Sequence, residues 1–304
     1  MNFMENRSKY LLPVSFFVSA VLISGAFVYS AGLKGGDGGN NPENATLADK
    51  STGEFNFREI TAPPQGTELP VKWGNLGKKM VEAGVIDSEQ LKAVYEKRGG
   101  ISEEDRNLIF GDNNGNLVIT PKNSGLILNL LWALGLANKN EILEKGPMQD
   151  YGDASRFAST GGWSLAKGNA MNYYSSREFV KLTPEQQDLV ERISKNIYRP
   201  CCDNSTYFPD CNHGMAMLGF LQLMVSQGIG ENDMYRAALA LNSYWFPDNY
   251  ATMAKYFKQT GVDWDKVDAR KVLGEEFSSI SGYGNVVAKI TEPKENKGGG
   301  GCGV

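Results

Sequence analysis

Apolar and polar positions follow a helical period along most of the chain between residues 67 and 290. Leu76 and Met80, for example, lie one turn apart on the same face of a helix with 3.6 residues per turn. Two segments, 126–136 and 215–225, are apolar on almost every side, which is typical of helices buried all round. The pattern predicts an all-α, mainly helical domain built around these two central helices.

Helix-start signals support this prediction. Asp87 and Ser102 stand where capping residues precede helical segments. Thr183 is followed by a proline at the first helical position and by Gln186, which together predict a capping box. One segment breaks the helical pattern, because residues 116–120 are rich in β-forming side chains and follow a Gly/Asn/Asp turn. We predict one short β segment there.

A continuous apolar run occupies residues 11–30, ahead of the helical part. A helix of this length spans about 30 Å, the thickness of a bilayer core. Arg7 and Lys9 precede the run, and positive residues favour the cytoplasmic side. We predict a cytoplasmic tail at 1–9, a transmembrane signal anchor at 10–31 and a single-pass protein of the cell membrane with an extracytoplasmic body. A cleaved signal peptide is the alternative.

The remaining segments follow from composition. Residues 32–66 are rich in Gly, Asn, Asp and Ser, which predicts a flexible linker. Residues 67–290 form the helical extracytoplasmic domain, and residues 291–304 form a Gly-rich tail that carries Cys302. The net charge of −4 at pH 7 and the lack of a basic patch in the sequence predict no nucleic-acid partner.

Three of the four cysteines and the only histidine lie in one short stretch of the chain. Thiolate sulfur and imidazole nitrogen are ligands that zinc and copper prefer. Asp210 is predicted to cap the next helix, so that Cys211 falls in its first turn, where the helix dipole favours a thiolate. We predict a metal site formed by Cys201, Cys202, Cys211 and His213. This set suits zinc, and its thiolates alone suit copper.

Three further sulfur atoms are candidates for additional ligands. Met215 and Met217 follow Cys211 and His213 at a spacing of one helical turn, and thioether sulfur binds copper. The alternative is that both methionines fill gaps in the core. Cys302 lies at the end of a four-glycine run, from which a mobile arm would carry its thiol back to the cluster. A metal donor or a redox protein is the expected partner.

The same cysteines support two alternatives to metal handling. A thiol–disulfide exchange protein would pair Cys201 or Cys202 with Cys211, since a bond between two neighbouring cysteines is strained. A non-enzymatic envelope interaction module would use the cluster only as a structural disulfide or metal staple. We predict no catalytic residue, because Cys211 and His213, two apart in a helix, are expected to face away from each other.

This part of the chain resembles the PCYCGC-motif extracytoplasmic lipoproteins. The resemblance rests on the stretch from Pro200 through Cys202, the Cys-Asn-His-Gly stretch, and the apolar helix ending at Gln227 and Gly228. The resemblance covers about forty residues and implies metal binding through Cys201, Cys202, Cys211 and His213. The chain departs from the family at its centre, with Cys-Cys in place of Cys-x-Cys, and it has no lipobox cysteine at its N-terminus.

The predicted topology can be tested with a reporter fused after Gly66. We expect reporter activity only outside the cytoplasm, because Arg7 and Lys9 hold their end of the anchor inside. Activity on the cytoplasmic side would contradict the orientation of the anchor, and with it the oxidising surroundings assumed for the cysteines.

Overall fold

The computed structural model describes residues 56–291, and most of them are helical. Its elements follow in chain order: α1 Phe57–Thr61, β1 Thr67–Gly74, α2 Leu76–Glu82, α3 Ser88–Glu96, α4 Glu103–Phe110, β2 Asn114–Ile119, α5 Ser124–Ala137, α6 Glu141–Lys145, α7 Pro184–Ser194, α8 Asn212–Ser226, α9 Glu231–Trp245, α10 Pro247–Gln259, α11 Ala269–Leu273, α12 Glu275–Ser278 and α13 Ile280–Thr291. Short 3-10 turns lie at Pro147–Tyr151, Ala154–Arg156, Ala170–Asn172 and Trp264–Lys266. The prediction of a mainly helical domain is confirmed.

The helix starts follow the capping signals of the sequence. The Asp87 carboxylate accepts hydrogen bonds from the backbone N–H groups of Glu89 and Gln90 at the start of α3. Thr183 and Gln186 form the predicted capping box at the start of α7. These bonds satisfy N–H groups that have no partner inside the helix, so the chain fixes both positions locally.

A small antiparallel sheet is the main departure from the all-α prediction. The structure pairs β1 with β2, with Thr67 opposite Ile119 and Gly74 opposite Asn114. The predicted β segment at 116–120 therefore exists with slightly different bounds, but its partner strand was missed. The sequence signal for β1 is the alternation of the apolar residues Leu69, Val71 and Trp73, which are buried in the structure. This is the period of a strand with one buried face.

The folded domain begins earlier than predicted. α1 lies inside the segment 32–66 that was predicted to be a linker, and Thr61 and Ala62 are buried. The hydroxyl of Tyr244 in α9 donates to the carbonyl oxygen of Pro63 at 2.9 Å, which ties this segment to the domain. The burial of Thr61 and Ala62 and the hydrogen bond to Tyr244 are the physical reason for the difference.

The predicted membrane anchor at 10–31 and the tail with Cys302 lie outside the described residues. Among residues 56–291, no helix is both long enough and apolar enough to cross a membrane. The topology and the location of the protein stay predictions.

The two central helices predicted from the sequence are α5 and α8, and their backbones pack against each other. Both are buried along nearly their whole length. Two glycines make the close approach possible: a Cβ on Gly219 would lie 2.7 Å from the backbone nitrogen of Gly135, and a Cβ on Gly135 would overlap the carbonyl oxygen of Met215. This crossing fixes the position of α8, at whose start the cysteine cluster lies.

We expect Gly219→Ala to lower the free energy of unfolding by about 3 kcal/mol, because the added methyl group forces two packed backbones apart. Gly284→Ala in α13 is the control, since a Cβ there would have no atom within 4 Å. The control should leave stability unchanged or raise it by about 1 kcal/mol through helix propensity. Denaturant unfolding of the two variants measures both effects, and equal losses would contradict the close crossing.

Candidate metal and thiol site

The cysteine loop between α7 and α8 is held by elements that follow it in the chain. The carbonyl oxygen of Cys202 accepts from the backbone N–H of Ile280 at 3.1 Å. The Asp203 carboxylate accepts from the N–H and from the hydroxyl of Ser281, both at 2.9 Å. The start of α13 therefore anchors the loop, and the two N–H groups involved are ones that a helix start leaves free.

Cys211, and not Asp210, is the capping residue of α8. Its backbone is extended, and its sulfur accepts from the N–H of Gly214 at 3.4 Å. The prediction that Asp210 caps the helix and that Cys211 lies in the first turn is therefore wrong by one residue. The thiol of Cys211 takes the position that a Ser or Asp side chain usually fills at a helix start.

The structure brings the four predicted site residues into two overlapping groups that share Cys211. The Sγ atoms of Cys201 and Cys211 are 3.7 Å apart, and those of Cys201 and Cys202 are 4.0 Å apart. The ligand atoms of Cys201, Cys211 and His213 all lie within 4.8 Å of one another, as do those of Cys202, Asp210 and Cys211. Cys211 belongs to both groups and is the centre of the cluster. These groups could hold a metal ion.

His213 lies beside Cys211, which corrects the prediction that the two side chains face apart. That prediction placed both residues inside a helix, but Cys211 is outside it, at the cap. The ring of His213 packs against Phe246 and Trp245, with ring centres at 4.5 and 5.7 Å. The junction of α9 and α10 therefore holds the imidazole in place next to the thiols.

Arg199 is the residue of the site that the sequence analysis missed. Its side chain is 1% exposed, and Nε donates to the sulfur of Cys211 at 3.1 Å. One terminal nitrogen donates to the carbonyl oxygen of Asn204 at 2.7 Å. The other donates to the Asp210 carboxylate at 2.6 Å and to the carbonyl oxygen of Phe208 at 3.2 Å. A single buried guanidinium thus ties the loop, the carboxylate and the central thiol together.

Gly214 makes room for this guanidinium. A Cβ on Gly214 would lie 2.7 Å from Cζ of Arg199, so any larger residue would displace the guanidinium from the helix start. The sequence carries only a weak signal for this contact, because Arg199 simply precedes the cysteine loop and Gly214 follows the histidine. Their proximity depends on the fold of the loop.

The charges of the cluster are strongly linked. Hydrogen bonds from Cys201 and Cys202, with smaller effects of His213 and Arg199, hold the pKa of the Cys211 thiol far below its ordinary value. Hydrogen bonds to Cys202 and Cys211 raise the pKa of Cys201. The thiols therefore titrate as one linked cluster, in which Cys211 ionises most readily.

The pKa values of Arg199 and Asp210, the ion pair beside the thiols, are also shifted. Burial lowers the pKa of Arg199, but the negative charges of Cys211, Cys202 and Asp210 outweigh burial and raise it. Burial raises the pKa of the Asp210 carboxyl, and the attraction of Arg199 opposes this effect. The guanidinium therefore stays charged and faces both the Cys211 sulfur and the Asp210 carboxylate.

The other candidate ligands differ in their positions. Met215 and Met217 are 0% and 1% exposed and belong to the hydrophobic core, as the packing alternative expected. Asp210 has a carboxylate oxygen within 4.8 Å of the Cys202 and Cys211 sulfurs, although the sequence indicated only a capping role. Cys302 lies outside the described residues.

No family model, curated protein or solved structure matches the chain. The resemblance to PCYCGC-motif lipoproteins therefore stays a prediction. The chemistry of the site follows from its own donor atoms: three thiols, one imidazole, one half-buried carboxylate and one buried guanidinium.

We expect Arg199→Lys to lower the free energy of unfolding by about 3 kcal/mol, because a lysine cannot replace the forked hydrogen bonds to Cys211, Asp210 and the loop. Arg192→Lys is the matched control, since the Arg192 side chain is 56% exposed and pairs with Glu231 at the surface. The control should change stability by less than about 0.5 kcal/mol. Similar denaturant midpoints for the two variants would contradict the structural role of Arg199.

Proposed function

We propose that the protein binds a zinc or copper ion through Cys201, Cys202 and Cys211, with His213 as the fourth ligand. The spacing of the sulfur atoms carries this proposal. Zinc–sulfur bonds of about 2.3 Å in a tetrahedron place neighbouring sulfurs about 3.8 Å apart. The distances of 3.7 Å from Cys201 to Cys211 and 4.0 Å from Cys201 to Cys202 match this edge.

The donor set also bears on the choice of metal. Three thiolates and one imidazole make a closed tetrahedral zinc site, whereas three thiolates without the histidine suit trigonal Cu(I). A ring nitrogen of His213 lies within 4.8 Å of the Cys201 and Cys211 sulfurs, and Phe246 packs against the ring. This packing favours the four-ligand set and therefore zinc.

The solvent exposure of the cysteine ligands favours a role in metal handling over a purely structural metal site. Cys201 is exposed, whereas Cys202 and Cys211 are partly buried. An exposed thiolate is open to ligand exchange with the thiols of a donor or acceptor protein. Together with the predicted anchor at 10–31, this makes the protein a membrane-anchored, extracytoplasmic metal carrier in our proposal.

The full-length chain, purified without oxygen, should hold about one equivalent of zinc. Cys211→Ser should abolish binding and lower the melting temperature, because the central ligand is lost and metal binding is linked to folding. Cys302→Ser should keep the metal if the tail is not part of the site. Elemental analysis with thiol counting measures both results.

Cobalt substitution tests the role of His213. The Co²⁺ form of the unaltered protein should show sulfur-to-cobalt charge transfer together with ligand-field bands of tetrahedral type. His213→Ala should keep the charge-transfer band and change the ligand-field bands. A protein that takes up neither zinc nor cobalt with its thiols reduced would contradict the proposed function, and full zinc retention in Cys211→Ser would place the site elsewhere.

A further inference from the structure

We infer that Cys201 and Cys211 form a redox pair, and that its oxidation by a low-molecular-weight disulfide releases the metal ion from the site. The inference rests on the proposed function, because both states use the same two sulfur atoms. A thiolate that binds the ion cannot at the same time belong to a disulfide. Metal binding and thiol–disulfide exchange are then two exclusive states of one cluster.

The geometry selects this pair among the three cysteines. The sulfurs of Cys201 and Cys211 are 3.7 Å apart, closer than those of Cys201 and Cys202 at 4.0 Å. Because Cys201 and Cys211 are separated in sequence, a bond between them avoids the strained ring of neighbouring cysteines. The backbone of Cys202 is fixed by two hydrogen bonds. Its N–H donates to the carbonyl oxygen of Arg199 at 3.3 Å, and its carbonyl oxygen accepts from the N–H of Ile280 at 3.1 Å.

The two sulfurs of the pair also have different surroundings. Cys201 is exposed, so a small disulfide can reach its sulfur first. Cys211 is partly buried and is held by Arg199 at 3.1 Å and by Gly214 at 3.4 Å. Closing the gap to an S–S bond of about 2.0 Å therefore requires movement mainly of the Cys201 side chain.

The reaction proceeds by two thiol–disulfide exchange steps. The sulfur of Cys201, which is a thiolate in the ion-loaded cluster, attacks one sulfur of the external disulfide, forms a mixed disulfide and expels one small thiolate. The thiolate of Cys211 then attacks the sulfur of Cys201 and expels the second small thiolate. The protein loses two electrons, the external disulfide gains them, and the two expelled small thiolates take up protons from water.

Release of the ion follows from the loss of ligands. Oxidation removes two of the three thiolates and leaves Cys202 and His213. Two ligands are too few for a closed tetrahedral site. Arg199 keeps its contacts with Asp210, Asn204 and Phe208, so the loop stays anchored while the ion leaves.

The test uses the full-length chain with Cys302→Ser, so that only the three cluster thiols react. The zinc-loaded protein is treated with oxidised glutathione while a chromophoric chelator reports released zinc and free thiols are counted. We expect about one zinc ion released for each pair of thiols lost. Mass spectrometry should find the new bond between Cys201 and Cys211.

Two variants in the same background separate the pair from its neighbour. The metal-free Cys202→Ser protein should form the same bond, whereas Cys201→Ser should give only a mixed disulfide with glutathione. A bond through Cys202, zinc retained after two thiols are lost, or zinc released with all three thiols intact would each overturn the inference. Normal zinc loading without oxidation overturns the inference alone, whereas failure to load any zinc overturns the proposed function as well.

Discussion

The close crossing of α5 and α8 is the contact on which the geometry of the rest of the structure depends. Gly135 and Gly219 let the two backbones approach to a distance that leaves no space for a Cβ atom. Because both helices are buried almost completely, their packing fixes α8 as a rigid element. The capping residue of α8 is Cys211, so the position of the central thiol follows directly from this crossing.

The second constraint is electrostatic. A guanidinium that is 1% exposed costs a large desolvation free energy unless its donors find acceptors. Arg199 makes four hydrogen bonds, to a carboxylate, two carbonyl oxygens and a thiol. The need to satisfy the buried cation folds the loop from residue 200 to 210 back onto the helix start, and this fold collects the cysteines.

The cluster therefore combines features that are usually separate. A thiolate at a helix start next to an arginine is typical of reactive cysteines, whereas sulfur spacings near 3.8 Å are typical of metal sites. The exposed Cys201 connects the two kinds of chemistry, because it can serve either as the outer ligand of an ion or as the first sulfur to meet an oxidant. The same geometry underlies both the proposed metal binding and its proposed redox control.

The sequence by itself determined the local features of this protein. The capping box at Thr183, the two apolar central helices and the crowding of three cysteines and a histidine all depend on residues a few positions apart, where hydrogen bonding and side-chain period act directly. Only the tertiary structure decided the pairing of β1 with β2, the burial of Arg199 and the docking of the cysteine loop on α13. The strand pairing and the docking of the loop join residues far apart in sequence, whereas Arg199 contacts residues 204 to 211 through the fold of the loop. The free energy of these contacts comes from packing and from the pairing of buried charges, which no local pattern encodes. The helix cap shows the effect of this tertiary packing. It lies at Cys211, one residue later than the sequence predicted, and this shift makes neighbours of the Cys211 and His213 side chains, which were expected to face apart.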